Sequence, residues 1–397
     1  MSSQALLTDR VFRLSPAYEL APLHRLGNRF EFLRDDLSRQ PDLYGVLHPR
    51  RSATLGVKTA TRSLAALLRS VRTPAPLPTR LRRSRDPELT RELSKLVLDG
   101  VLEVEHHGRF VTGARAAQLV VTPSATPLEG KLVDLSREAV EYGAALRLSD
   151  PMVLSARMYF YNRAPVTPSW MHRVSGVSAA MKYLGIAPGE QLRAVLDADW
   201  NLTVGDGSPP WLHWMPRQRT DVRRDDLPVY KLYVSPRVEH LRDTTRVLVH
   251  SLTTTSFHAF KLGGDAHGML RPDKIVVYFS EWSDLQRVAS RLGPQLRGIE
   301  PQGVPFTCAM ENTALLSWGM DPPRAEKILS WREAESWRLW ISNRLAVYLL
   351  TAHATRSRRT RISAAEFAME RLRFDGVDVD TWAPTRVLWP AAERAVQ

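Results

Sequence analysis

Polar and apolar residues alternate most clearly in PVYKLYVS at 228–235. Period two places Tyr230, Leu232 and Val234 on one side of a strand and Lys231 and Tyr233 on the other. Ser235 and Pro236 read as an N-cap and first-turn pair for a helix whose apolar face is Val238, Leu241, Leu248 and Leu252. FHAFKLG at 257–263 and KIVVYFS at 274–280 read as further strands, the second leading into a helix that ends near residue 292. SWREAESWRLWISNRLAVYLLTAH at 330–353 contains no Gly or Pro, and Trp337, Trp340, Ile341, Leu345 and Leu349 recur at helical spacing. That segment predicts a long, mostly buried helix.

The first third has its own pattern. Asp86 and Pro87 open a helix through Leu89, Leu93, Leu96 and Val97, which Gly100 stops. VLEVE at 101–105 and RFVTG at 109–113, joined by His106, His107 and Gly108, predict a β-hairpin after it. A helix followed by a hairpin is a winged-helix-like ending, suited to scaffolding or peptide docking more than to DNA. RTPAPLPTRLRRSR at 72–85 reads as an exposed linker, and VTPSATPLEG at 121–130 as a boundary. The organisation expected is an N-terminal, mainly helical domain over 1–125 for leader or partner docking, then an α+β domain over 126–397. Its mostly antiparallel sheet is expected to be flanked by helices. Residues 133–200 read as mostly helical with a strand-like RMYFYNR at 157–163. GDGSPPWLHWMP at 205–216 reads as a loop whose Trp211, His213 and Trp214 can line a cleft.

Composition narrows the classes. A chain of 397 residues, 44% hydrophobic and 24% charged, is globular and long enough for more than one core. The single cysteine, Cys308, excludes an internal disulfide and a cysteine-based zinc site, and it suits a reducing compartment. No stretch has the apolar length of a membrane span and no targeting signal is evident, so a soluble cytoplasmic protein is expected. The net charge of +13 favours anionic partners: nucleic acid, phosphorylated peptide or an acidic leader peptide.

No phosphate-binding P-loop, HExxH or paired CxxC occurs, so nothing in the sequence supports a kinase or a metalloenzyme, and neither metal nor cofactor is expected. What stands out is cations within apolar strands. Lys231 and Tyr233 point to one side, and Lys261, in phase with Ala259, has Phe257 and Phe260 nearby to bury its stem. A lysine buried beside a second cation has a lowered pKa and can act as a general base. Either lysine taken singly reads better as snorkelling from a sheet edge into water. Arg271 and Tyr278 add a phosphate-binding fork and a hydroxyl donor.

The succession K-L-Y-V-S, then F-K-L-G thirty residues after the first lysine, then R-P-D-K-I-V-V-Y-F resembles the phosphothreonine lyases of bacterial type III effectors. It also resembles the effector-like lyase domains of class V lanthipeptide and thioamitide biosynthesis, over about residues 228–345. The resemblance implies that Lys261 abstracts the α-proton, that Lys231 and Arg271 hold the phosphate and that Tyr278 orients it. Tyr233 stands where the effector enzymes carry their general-acid histidine, leaving Tyr233 itself or His258 as the acid, with His213 a further candidate. GVPFTCAMENTALLSWGMDPP at 303–323 resembles the effector-like lyases more, and Arg338 or Arg344 would complete the phosphate pocket. The implied partners are a phosphorylated precursor peptide and a separate Ser/Thr kinase, with no membrane and no nucleic acid. A non-catalytic peptide- or DNA-binding scaffold is the competing reading.

Overall fold

β-Branched and aromatic residues in the first 120 positions build two small antiparallel sheets beside the expected helices. The elements are β1 (Val11–Leu14), β2 (Tyr18–Pro22), β3 (Leu43–Pro49), β4 (Lys58–Thr61), α1 (Arg62–Ser70), β5 (Ala75–Pro76), α2 (Pro87–Leu98), β6 (Leu102–His106) and β7 (Arg109–Val111). One sheet has the order β5-β1-β6-β7 and the other β2-β3-β4, so residues 1–125 carry more strand than a mainly helical reading allows. The computed structural model describes residues 7–26, 40–50, 55–84, 86–121, 130–207, 209–217, 228–254, 258–310, 313–323, 335–358 and 360–389. The expected boundary at 122–129, Phe257, and residues 330–334 of the long helix lie outside them.

Local signals in this region mostly hold. Asp86 caps α2 by accepting from the Glu88 amide at 3.0 Å with Pro87 in the first turn, and the hairpin turns at His107 and Gly108, both at positive φ. The stretch from 72 is mostly exposed, as expected, but it is not without structure. Pro76 pairs with Val11 on a sheet edge, where a missing N–H is tolerated, and Leu77 beside it is buried.

The second region supplies α3 (Lys131–Leu146), α4 (Pro151–Tyr159), α5 (Pro168–Arg173), α6 (Val177–Leu184), α7 (Gln191–Asp199), β8 (Trp200–Val204), β9 (Trp211–Pro216) and β10 (Tyr230–Val234). It continues with α8 (Leu241–Thr253), β11 (Phe260–Gly263), β12 (Ile275–Phe279), α9 (Trp282–Gln295), β13 (Cys308–Met310), β14 (Thr313–Met320), α10 (Trp337–Thr355) and α11 (Ala364–Arg373). Its seven strands lie in the order β13-β14-β10-β12-β11-β9-β8, and every neighbouring pair is antiparallel. The whole is an α+β fold. RMYFYNR is helical as far as Tyr159 and then turns, because Asp150 caps α4 and the Met158 side chain is needed in the helical core. The proline-bearing loop expected at 205–216 becomes β9 from Trp211 onwards. Helix α8 starts at Leu241 rather than at Ser235, whose hydroxyl donates instead to the Pro272 carbonyl at 2.6 Å.

One face of the large sheet is core. Leu232, Val234, Phe260, Leu262, Ile275 and Val277 pack there with Leu248 and Leu252 of α8 and Leu285 and Leu292 of α9. The other face lies against α4 and the start of α10, where Trp337 sits over Gly319 so closely that an added Cβ would meet its ring at 2.1 Å. Helix α10 is buried on nearly all sides, as expected of a helix without a polar stripe. Among the described residues no helix is long and apolar enough to cross a membrane.

A buried ionic network ties the N-terminal sheets to α10 and α11. Arg371 binds Asp99 with two nitrogens, at 2.6 and 3.0 Å, and Asp375 at 2.9 Å, while Lys58 reaches Asp99 at 2.9 Å. Burial alone would raise the Asp99 carboxyl, but Arg371 and Lys58 outweigh it and hold it well below the usual range. Its contribution to stability is therefore present at neutral pH and is lost only as pH falls below the ordinary carboxylate range. Arg371→Ala leaves two buried carboxylates short of a partner and is expected to cost about 3–5 kcal/mol in a denaturant titration. A loss within experimental error would show that the network does not hold the two regions together.

Candidate functional site

Alternation along four neighbouring strands puts a set of chemically able side chains on the face turned away from the main core. The register pairs Lys231 with Tyr278, Tyr233 with Val276, Lys261 with Val276 and His213, and Gly263 with Trp211. Residues directly opposite one another share a face, so Lys231, Tyr233, Tyr278, Lys261, His213 and Trp211 all emerge together.

The two lysines differ in what they touch. Lys231 forms an ion pair with Asp321 at 2.6 Å, just beyond the end of β14. Lys261 has no carboxylate within ion-pair distance among the described residues. Its ammonium lies 4.2 Å from the centre of the Trp211 ring and 5.9 Å from that of Tyr278, and Lys231 approaches the same Tyr278 ring at 5.5 Å. Burial, reinforced by the Lys231 and Arg271 charges and opposed by Asp273 and Asp321, pushes the Lys261 amine down to about 8. A substantial fraction is then neutral near physiological pH.

Arg271 also approaches Trp211, its guanidinium 5.0 Å from the centre of the ring. Its Nε and Nη2 donate to the two oxygens of Asp273 at 2.8 and 2.9 Å, and Nη2 also donates to the Tyr159 hydroxyl. Nη1 has no protein partner among the described residues. Asp273 itself is buried and is held further by Arg338 at 2.8 Å and by the Tyr159 hydroxyl at 3.1 Å. Burial would raise its carboxyl, but Arg271 and Arg338 hold it well below the usual carboxylate range. Arg271 is thereby locked in one orientation with one nitrogen left over, an arrangement suited to a phosphate oxygen.

Three of the residues singled out in the sequence do not join the site as expected. His258 lies on the opposite face, its ring 4.4 Å from that of Phe279, because an even position beside Phe260 points into the core. Arg344 faces away, stacked on Trp340 at 4.0 Å and paired with Glu335 at 3.8 Å and Asp375 at 3.5 Å, within the network around Arg371. Arg338 is near the site but fully buried, donating to the carbonyls of Pro305 and Tyr159 and paired with Asp273, so it supports Asp273 and has no surface for a ligand. Phe260 does not bury the Lys261 stem either; it points into the core and stacks with Trp214, and Trp211 and Tyr278 flank the lysine instead.

Lys231, Tyr233, Lys261, Arg271 and Tyr278 do come together. Tyr233 is buried beside Val276 and Val304, and burial followed by the nearby Asp321 charge raises its hydroxyl well above the usual value. It serves as floor. His213, a secondary candidate on sequence, lies across the ladder from Lys261, and burial and the lysine charge lower its pKa. Asp321 and Tyr159 carried no usable sequence signal, since each reaches the site from a distant part of the chain. Trp211 and His213 did carry one, the alternation of WLHW, masked by the prolines before it.

No family model and no curated protein matches the sequence. Solved structures with a similar arrangement include an effector protein from Pseudomonas syringae pv. tomato strain DC3000, at 14% identity and a TM-score of 0.41, with 64% of this chain and 99% of that one covered. They also include the type III effector and phosphothreonine lyase OspF from Shigella flexneri, at 12% identity and a TM-score of 0.26, covering 33% of this chain and 78% of that one. The VirA (SpvC) phosphothreonine lyase effector of Chromobacterium violaceum is similar at 15% identity and a TM-score of 0.27, over 39% of this chain and 77% of that one. The likeness is loose, and the chemistry rests on the site itself.

The Lys261 amine is expected to titrate near 8 in lysine-selective ¹⁵N NMR. Asp273 opposes the lowering, so Asp273→Asn should move that midpoint further down. A midpoint at the ordinary lysine value, about 10.4, in the unsubstituted protein would show that the amine is not desolvated.

Proposed function

We propose that this protein is a lyase that eliminates phosphate from phosphorylated Ser or Thr in a peptide, leaving dehydroalanine or dehydrobutyrine. The observation that carries the reading is the Lys261 amine, unpaired, lowered to about 8 and set among fixed cations on one face of the sheet. Elimination needs a base for a weakly acidic Cα–H and a site for the departing phosphate dianion, and this face offers both.

In the reaction, Lys261 Nζ takes the Cα proton, and the electron pair of that bond becomes the second bond between Cα and Cβ. The Cβ–O bond breaks with its electrons on the phosphate oxygen. Arg271, through Nη1, and the Lys231 ammonium receive the phosphate, and because they are held by Asp273 and Asp321 they need no reorganisation as charge builds. Tyr278 lies between the two lysines and orients the phosphate. His213 is the only histidine on this face of the sheet among the described residues, and it supplies a proton to the leaving group. The phosphate dianion itself favours the protonated ring and offsets the lowering by burial and Lys261. Trp211 keeps one side of the base dry.

The substrate we assign is a ribosomally made, lanthipeptide-type precursor, phosphorylated by a separate Ser/Thr kinase, since the sequence has no ATP-binding motif of its own. Incubation with a phosphothreonine peptide is expected to release phosphate with the matching loss of mass. Lys261→Ala should slow release by roughly 10²–10⁴-fold or more, while Arg271→Lys should weaken phosphate binding. Because the reaction needs the neutral Lys261 amine and the protonated His213 ring, kcat/KM should be bell-shaped in pH, limited on the acid side by protonation of the amine and on the alkaline side by loss of the general acid's proton. Turnover at an unchanged rate in Lys261→Ala would remove the lysine from the mechanism.

A further inference from the structure

We propose that the groove between β7 and α11 docks an acidic, extended stretch of the substrate peptide, remote from its phosphorylated residue. The identity of that peptide rests on the lyase reading; the groove itself does not. It encloses about 1060 Å³, and none of its lining residues belongs to the face around Lys261.

Three features fit one occupant. The first is an edge. β7 ends the sheet β5-β1-β6-β7, among the described residues pairs with β6 alone, and its three residues line the groove. An extended peptide can add to such an edge as a further strand. The second is charge. Arg109, Arg115, Arg358 and Arg361 line the groove, all exposed, and none has a carboxylate within ion-pair distance among the described residues. The acidic residues on the same wall are mostly engaged: Asp380 with Arg137 and Arg373, Glu370 with Arg373, and Glu366 with the Ser363 amide of its own helix cap. The third is an apolar bed in the same lining, made by Phe110, Val111, Ile362 and Met369. A peptide that alternates acidic and apolar side chains meets all three. A duplex would find its phosphates opposed by the carboxylates and nothing to place on the apolar bed.

Such docking holds the peptide while its phosphorylated part samples the Lys261 face, which raises the effective concentration at that face without adding contacts there. The test uses the full chain and a fluorescein-labelled peptide alternating Glu and Asp with Val and Leu, followed by anisotropy. The acidic probe is expected to bind, its Lys/Arg counterpart not to bind, and a version with alternate amides N-methylated to bind more weakly. Arg358→Glu with Arg361→Glu should weaken the acidic probe by roughly tenfold or more. The same double variant should release phosphate at the normal rate from a short phosphopeptide lacking the acidic stretch. It should raise KM, with kcat unchanged, when the stretch is attached. Equal binding of the two probes, full affinity of the N-methylated one, or steeply salt-dependent binding of duplex DNA lost in the double variant would overturn the proposal. Probe binding is read without turnover, so absence of lyase activity would refute the enzyme reading and leave the groove standing.

Discussion

The Asp273 carboxylate organises this site. It is buried between β11 and β12, accepts two hydrogen bonds from Arg271, faces Arg338 of α10 and takes the Tyr159 hydroxyl of α4. A buried carboxylate is tolerated only when its charge is matched and its oxygens are filled. Meeting that requirement draws the loop before β12 and two helices to one point. Arg271 cannot rotate without stranding the charge, so its remaining nitrogen has a defined direction. Asp273 also limits how far the Lys261 amine falls, because its negative charge works against burial and against the two neighbouring cations. One group therefore fixes both the phosphate fork and the strength of the base.

The large sheet serves two purposes through one property. Its even-numbered positions in β10 and β11 build the core with α8 and α9, while the odd positions carry lysines and tyrosine to the other face. On that face Lys231 and Arg271 are oriented by carboxylates set just outside the strands, whereas Lys261 is flanked by aromatic rings. The second ionic network, around Arg371, has a different part: it lies between the N-terminal sheets and the last two helices and keeps Arg344 away from the site.

Short-range patterns were legible in the sequence because they depend on neighbours in the chain. Period two put Lys231 with Tyr233 and separated them from Leu232; Asp86 and Pro87 marked the start of α2; His107 and Gly108 marked the turn of the hairpin. Where prolines broke the pattern the same reasoning took strands for loops: at β5 a sheet edge accepts a proline that local propensity disfavours, and at β9 the prolines Pro209 and Pro210 lie just before the strand begins.

What the sequence by itself determined is the set of faces: which side chains of each strand travel together, and that lysines would stand on one of them. The tertiary structure decided which groups meet. Strand register brought His213, not His258, opposite Lys261; helix phase sent Arg338 under Asp273 and Arg344 into the other network; chain return brought Asp321 to Lys231. Periodicity is set by bond geometry within a few residues, whereas register and counter-ion choice are set by contacts between segments far apart in the chain, where burying a charge demands a partner.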